Sequence, residues 1–191
     1  MGVQKAFRVG SRAGGLLAGV AVFGLVGCSA PKVDDDGLAR LERACDEAME
    51  RFRADDVAFG AFEDAAHGAA VLPSAGKGGV IYFGGASGTG LIYEGGEPIG
   101  TTRLSQASVG LQLGGQAFSQ VVFFEDAAAL ERFTAGEFEF SAGASAVAAD
   151  YGAASGAVFD NGYATFVMSR GGLMYEVSLA GQAFAFRPLE E

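Results

Sequence analysis

Two cysteines and one histidine, Cys28, Cys45 and His67, are the residues whose side chains could most readily do covalent or metal chemistry near neutral pH. A thiolate is a nucleophile for alkyl and acyl transfer. Cys28 sits directly after an apolar run, whereas Cys45 lies among charged residues at helical spacing from other apolar ones. A lone histidine offers neither a His-rich zinc site nor the setting of a Ser-His-Asp triad. At the end of a helical stretch, His67 reads as a surface or capping residue. The glycine-rich segment GGASGTG, residues 84–90, matches none of the nucleophile-elbow, P-loop or dinucleotide patterns and reads as a turn between strands. The carboxylates are scattered or lie on helix faces, where solvation is their ordinary role. No acid, base or nucleophile constellation stands out, so the chain reads as a non-enzyme without metal or cofactor.

The surroundings of Cys28 give its thiol a specific chemistry. Lys5, Arg8 and Arg12 form a basic start with no acidic residue, and Ala13–Val26 is entirely apolar or glycine. That run is shorter than the roughly 20 residues of a spanning helix and has the length of a secretory h-region. It ends in Leu25-Val26-Gly27-Cys28, which resembles the lipobox of bacterial lipoproteins. The resemblance implies a diacylglyceryl group on the Cys28 sulfur, cleavage of residues 1–27, and acylation of the new N-terminus. A plain signal peptide with an incidental Cys28 and an uncleaved anchor helix are the alternatives; the agreement of all three parts favours the lipobox. Ser29, where an aspartate would favour the inner membrane, points to the periplasmic face of the outer membrane. With Cys28 lipidated, Cys45 has no intrachain partner and reads as an inert core thiol. A Cys28–Cys45 bridge is the rival.

Cleavage before Cys28 leaves 164 residues with ten basic and 23 acidic side chains, a net charge of −13. That is enough chain for one domain with a real core. The charge argues against nucleic acid, whose phosphates require a basic footprint. It also argues against simple electrostatic adhesion to anionic lipid. Gly is very abundant at 31 and is interleaved with apolar residues, which suggests turns, bulges and close backbone contacts rather than a linker.

The elements that must position any site follow from periodicity. Residues 28–37 comprise the lipidated cysteine and a polar tether, of which Ala30–Gly37 reaches at most ~28 Å. Asp34–Asp36 offer an N-cap. Leu38, Leu41, Cys45, Met49 and Phe52 recur at helical spacing and predict an amphipathic helix of about four turns. A short helical segment follows with Val57, Phe59, Phe62 and Ala66 apolar. Beyond AAVLP the Gly-punctuated stretches predict strands, with a hairpin turn at Glu94–Glu97 and another at Asn161-Gly162. Ala117–Phe124 reads as a central strand, 125–133 as a third helix with Leu130 and Phe133 inward, and Glu137–Phe140 as an alternating strand. Gly-Gln-Ala-Phe occurs at 115–118 and again at 181–184, which reads as two strands with similar needs.

The order AAVLPSAGKGG, FGGASGTGLIY, QASVGLQLGGQAFSQVVFFEDAAALERF, FEFSAGASAVAADYG and GGLMYEVSLAGQAF closely resembles the SYLF domain, a lipid-binding family found in eukaryotic adaptors and bacterial exported lipoproteins. The likeness runs from about Leu38 to Arg187, within a domain over residues 38–191. It implies an α+β fold, with N-terminal amphipathic helices packed on a strongly bent, mainly antiparallel β-sheet, barrel-like or sandwich-like. It implies binding of membrane phospholipids, through Lys77 after the Pro73-Ser74 turn and through Arg40, Arg43, Arg51 and Arg53 of the first helix. An ion-paired, solvated face is the competing reading of those five residues. Some eukaryotic members bind actin filaments; an exported lipoprotein would not meet cytosolic actin. The expected protein is thus a membrane-anchored lipoprotein whose domain binds phospholipid. The alternative is an envelope protein that contacts a protein partner and meets lipid only through its anchor.

Overall fold

The computed structural model describes residues 29–136, 159–169 and 180–190. Residues 1–28, with the leader and Cys28, lie outside the described residues, as does the alternating 137–140 segment. Helix α1 spans Asp35–Asp55, longer than the four turns expected, because the Asp34 side chain accepts the Gly37 N–H at 2.8 Å and starts it early. Asp35 and Asp36 in its first turn complement the helix dipole. The expected apolar stripe faces inward: Cys45 and Phe52 are buried, and Leu38, Leu41 and Met49 pack against the same core. Helix α2, Phe59–Ala65, buries Phe59 and Phe62. Val57, expected on its apolar face, is instead 86% exposed. It stands outside the helix, in a turn where Asp56 Oδ1 accepts the Ala58 N–H at 2.8 Å.

Four antiparallel strands follow among the described residues: β1 Gly68–Glu94, β2 Glu97–Phe124, β3 Tyr163–Ser169 and β4 Ala180–Pro188. Helix α3, Ala127–Thr134, comes between β2 and β3, capped by Asp126 and burying Leu130 and Phe133 as expected. β1 and β2 pair along nearly their whole length about the Gly95-Gly96 turn, where φ of +59° and +91° suits only glycine at low cost. The Asn161-Gly162 turn has the same left-handed pair of residues, φ 53° and 87°. The far edge of β2 carries β3 at 118–124 and β4 at 100–108. Ala117–Phe124 is therefore the expected central strand, and both Gly-Gln-Ala-Phe copies begin in strands.

A straight strand of β1's length would run about 90 Å. Instead the ribbon is doubled over. Gln106 and Gln120, on opposite halves of β2, both bond Gln182 of β4, at 3.0 and 3.1 Å. The last third of β1 passes back along its first third, with Gly68 against Tyr93, Gly90 against Val71, and Gly88 against Ala75. Register irregularities at Leu72/Ala75, Ile81/Phe83 and Ile92/Tyr93 supply bends. Two expectations are corrected here. GGASGTG is not a turn but the interior of β1, its glycines allowing backbone to approach backbone. Pro73-Ser74 is likewise no turn but the first irregularity, where a proline without an N–H is tolerated and its carbonyl accepts Ser119 Oγ at 2.7 Å. The expected strongly bent antiparallel sheet is borne out, and among the described residues its pairings leave it open.

Alternation along the strands sorts two cores. Val71, Leu91, Val121, Phe123 and Phe166 meet α1 and α2 on one face. Leu72, Ile92, Leu104, Val122, Phe124 and Phe184 meet α3 on the other. The first core is aromatic: Phe59 stacks on Phe52 at 5.3 Å and meets Phe123 and Phe166 at 5.0 and 5.1 Å. Such pairs contribute ~0.5–1.5 kcal/mol each beyond their buried area.

Candidate functional site

The segment expected to be a short polar tether is part of the fold. Ala30 is only 2% exposed. Arg187 Nε donates to its carbonyl at 2.9 Å, and Thr101 Oγ1 donates to the Pro31 carbonyl at 2.9 Å. Lys32 Nζ pairs with Glu190 at 2.6 Å on the surface. Asp35–Gly37 already belong to α1. Of the expected Ala30–Gly37 tether, Ala30–Lys32 are held to the end of the sheet and Asp34–Gly37 cap or begin α1. Nothing in the sequence signals this seat, since its partners lie 70 and 157 residues apart.

The five cations assigned to lipid do not form one cluster. Arg40, Arg43 and Arg51 are exposed, and at 100° per residue they share a stripe about 80° wide, opposite the buried face of α1. None of the three forms an ion pair among the described residues. Arg40 and Arg43 stand in the first half of the helix, near the seat; Arg51 is about 16 Å farther along. Arg53 points elsewhere: its guanidinium forks onto Glu63 with bonds of 2.8 and 2.6 Å, and Glu63 raises its pKa. Lys77 lies half-buried in β1 opposite Gln116, roughly 20 Å of strand from Val71, where α1 docks.

A groove of about 370 Å³ opens between α1, α2 and the hairpin tip, lined by Asp46, Met49, Arg53, Glu63, His67 and Tyr93 among others. His67 Nε2 meets Glu94 Oε1 at 2.8 Å, so this histidine is the surface residue expected and ties the hairpin tip to the start of β1. Arg53 and His67 of the groove already face the carboxylates of Glu63 and Glu94, so an added anion would have to displace these. Cys45 on α1 is fully buried, its thiol directed at the Val71 carbonyl at 3.6 Å. Burial pushes the Cys45 thiol up to about 12, and burial beside that thiol pushes Tyr93 up as well. This is the inert core cysteine the sequence suggested. Native protein at pH 8 should resist maleimide, with modification following only after unfolding; rapid labelling of Cys45 in the folded state would contradict the burial. Because the folded pKa lies above the unfolded one, this thiol's contribution to stability is complete below pH 9 and declines between 9 and about 12.

No group of three potential metal ligands exists among the described residues. No helix among them is long and apolar enough to cross a membrane. The chain matches no curated protein sequence. Residues 105–190 match the Ysc84 family model, described as Las17-binding protein actin regulator. That stretch holds most of β2 with α3, β3 and β4, while the helices α1 and α2, the strand β1 and the arginine stripe precede it. Residues 105–190 are thus similar to the Ysc84, or SYLF, family, and the α+β order of helices followed by a bent antiparallel sheet is consistent with a domain of that family.

Proposed function

We propose that the protein is an exported lipoprotein, anchored through lipid on Cys28, whose SYLF domain binds phospholipid headgroups without catalysis. The observation that carries this reading is the placement of Arg40 and Arg43. They are exposed, without ion pairs among the described residues, and on the helix that starts seven residues after Cys28. Each basic residue held near an anionic surface contributes about 1 kcal/mol, screened by salt. A local basic face can act within a domain that is acidic overall.

The test is co-sedimentation of residues 29–191 with vesicles of phosphatidylcholine alone or mixed with phosphatidylglycerol. Binding should require the anionic lipid and weaken with salt. Reversing both charges in Arg40→Glu/Arg43→Glu should lower affinity about 30-fold at low salt, from two contacts of ~1 kcal/mol each. Arg53→Glu, starting from a residue already tied to Glu63, should change it far less. Lys77→Glu measures whether the strand adds a separate contact. Equal binding by the double variant would remove α1 from the interface. Absence of binding to every vesicle would favour the second reading, an envelope protein with a protein partner, which the net charge of −13 on the mature chain supports for a basic partner.

A further inference from the structure

We propose that the end of the domain where Thr101 and Arg187 hold Pro31 and Ala30, with Glu190 exposed beside them, is apposed to the bilayer, with α1 rising away from it. This rests on the lipid anchor at Cys28 proposed above. Ala30 and Pro31 are fastened to that end by the Arg187 and Thr101 hydrogen bonds. Cys28 precedes Ala30 by two residues, a reach of no more than about 8 Å. Acyl chains on the Cys28 sulfur must lie in the hydrocarbon, so this end of the sheet cannot stand far from the headgroups. The domain is a rigid extension of its anchor rather than a body on a string.

The chemistry of that end suits a phospholipid surface. Thr101 and Arg187 are direct partners across β2 and β4, and Arg103 is paired with Ala185 two residues along. Arg103 and Arg187 therefore share one sheet face as diagonal neighbours, within reach of long side chains. Arg40 and Arg43 approach from the start of α1. Asp34–Asp36 and Glu190 lie at the same end and temper the charge, which favours a mixed rather than a purely anionic surface. α1 spans about 30 Å, so its far end, with the exposed Val57, is carried away from the seat.

The chain has no tryptophan, so a single introduced one reports its own depth. Full-length protein, matured in cells and reconstituted in phosphatidylcholine–phosphatidylglycerol vesicles with brominated acyl chains, would carry either Glu190→Trp or Val57→Trp. Both positions are exposed, so neither substitution threatens the core. Glu190→Trp should be quenched at least twofold more strongly than Val57→Trp. Adding Thr101→Val/Arg187→Ala should release the seat and erase the difference. Equal quenching with the seat intact, or stronger quenching at Val57, overturns the orientation while leaving the anchor standing. A mature N-terminus without lipid by mass spectrometry overturns both the anchor and the orientation.

Discussion

Gly90→Ala should lower the melting temperature of residues 29–191 by 10 °C or more, or prevent folding. A Cβ at Gly90 would be driven into the carbonyl and carbonyl carbon of Val71 and within 3.0 Å of Leu72 Cα. These are backbone atoms in the layer that α1 covers, and they cannot rotate aside as a flexible side chain would. Overpacking a core costs ~1–3 kcal/mol even where side chains can yield. A clash with fixed backbone should reach the upper end or beyond, and ~1 kcal/mol shifts the midpoint of a domain this size by roughly 2–4 °C. The comparison that isolates the effect is Gly76→Ala and Gly78→Ala in the same strand, where a Cβ meets nothing within 4 Å. Those two should melt within a few degrees of the parent, since Ala also restricts the unfolded chain. Thermal unfolding followed by circular dichroism separates the cases. If Gly90→Ala melts like Gly78→Ala, β1 does not double back at Val71.

Cys28→Ala should move the protein from the membrane fraction to the aqueous fraction. A diacylglyceryl group buries two chains at ~0.8 kcal/mol per methylene, which is effectively stable anchoring, whereas headgroup contacts of ~1 kcal/mol each are reversible and salt-sensitive. Fractionation at low and high salt distinguishes three results. Full release at both salts assigns the anchor to lipid on Cys28. Retention at low salt with release at high salt means that α1 and its arginines hold the domain unaided. Retention of the variant at both salts is read against the unsubstituted protein: residues 1–27 still attached there by mass, with no lipid on Cys28, would replace the lipobox with an uncleaved anchor helix.

Where the code is local, the sequence was readable. The period of Leu38, Leu41, Cys45, Met49 and Phe52 places one stripe of a helix against an apolar face, and any fold that buries the stripe must bury Cys45. Gly95-Gly96 and Asn161-Gly162 dictate left-handed turns because other residues adopt that backbone at a cost. Asp34 and Asp126 cap α1 and α3 through side chains that reach only three residues ahead. Val57 broke the pattern because it lies in a turn between α1 and α2, where Asp56 Oδ1 accepts the Ala58 N–H.

The glycine-rich middle was misread for a physical reason. Glycine marks a turn when it bends the chain, and marks a close approach when another backbone passes where a Cβ would stand. GGASGTG looks the same in both cases. Only the doubled ribbon, with Gly90 against Val71 and Gln106 and Gln120 meeting at Gln182, decides for the second. The cations divide in the same way. Composition placed four arginines on one helix, but Glu63 on α2 engages Arg53 and leaves Arg40, Arg43 and Arg51 outward.

The sequence by itself determined the helices, their caps, the hairpin turns, the buried thiol and the net negative charge, because each depends on residues within a few positions or on composition. The tertiary structure alone decided that β1 and β2 are single long strands folded over, that Ala30 is seated by Thr101 and Arg187, and that α1 starts five residues after that seat. Those contacts join residues that are far apart in the chain, and hydrogen bonds between such residues leave no period in the sequence to read.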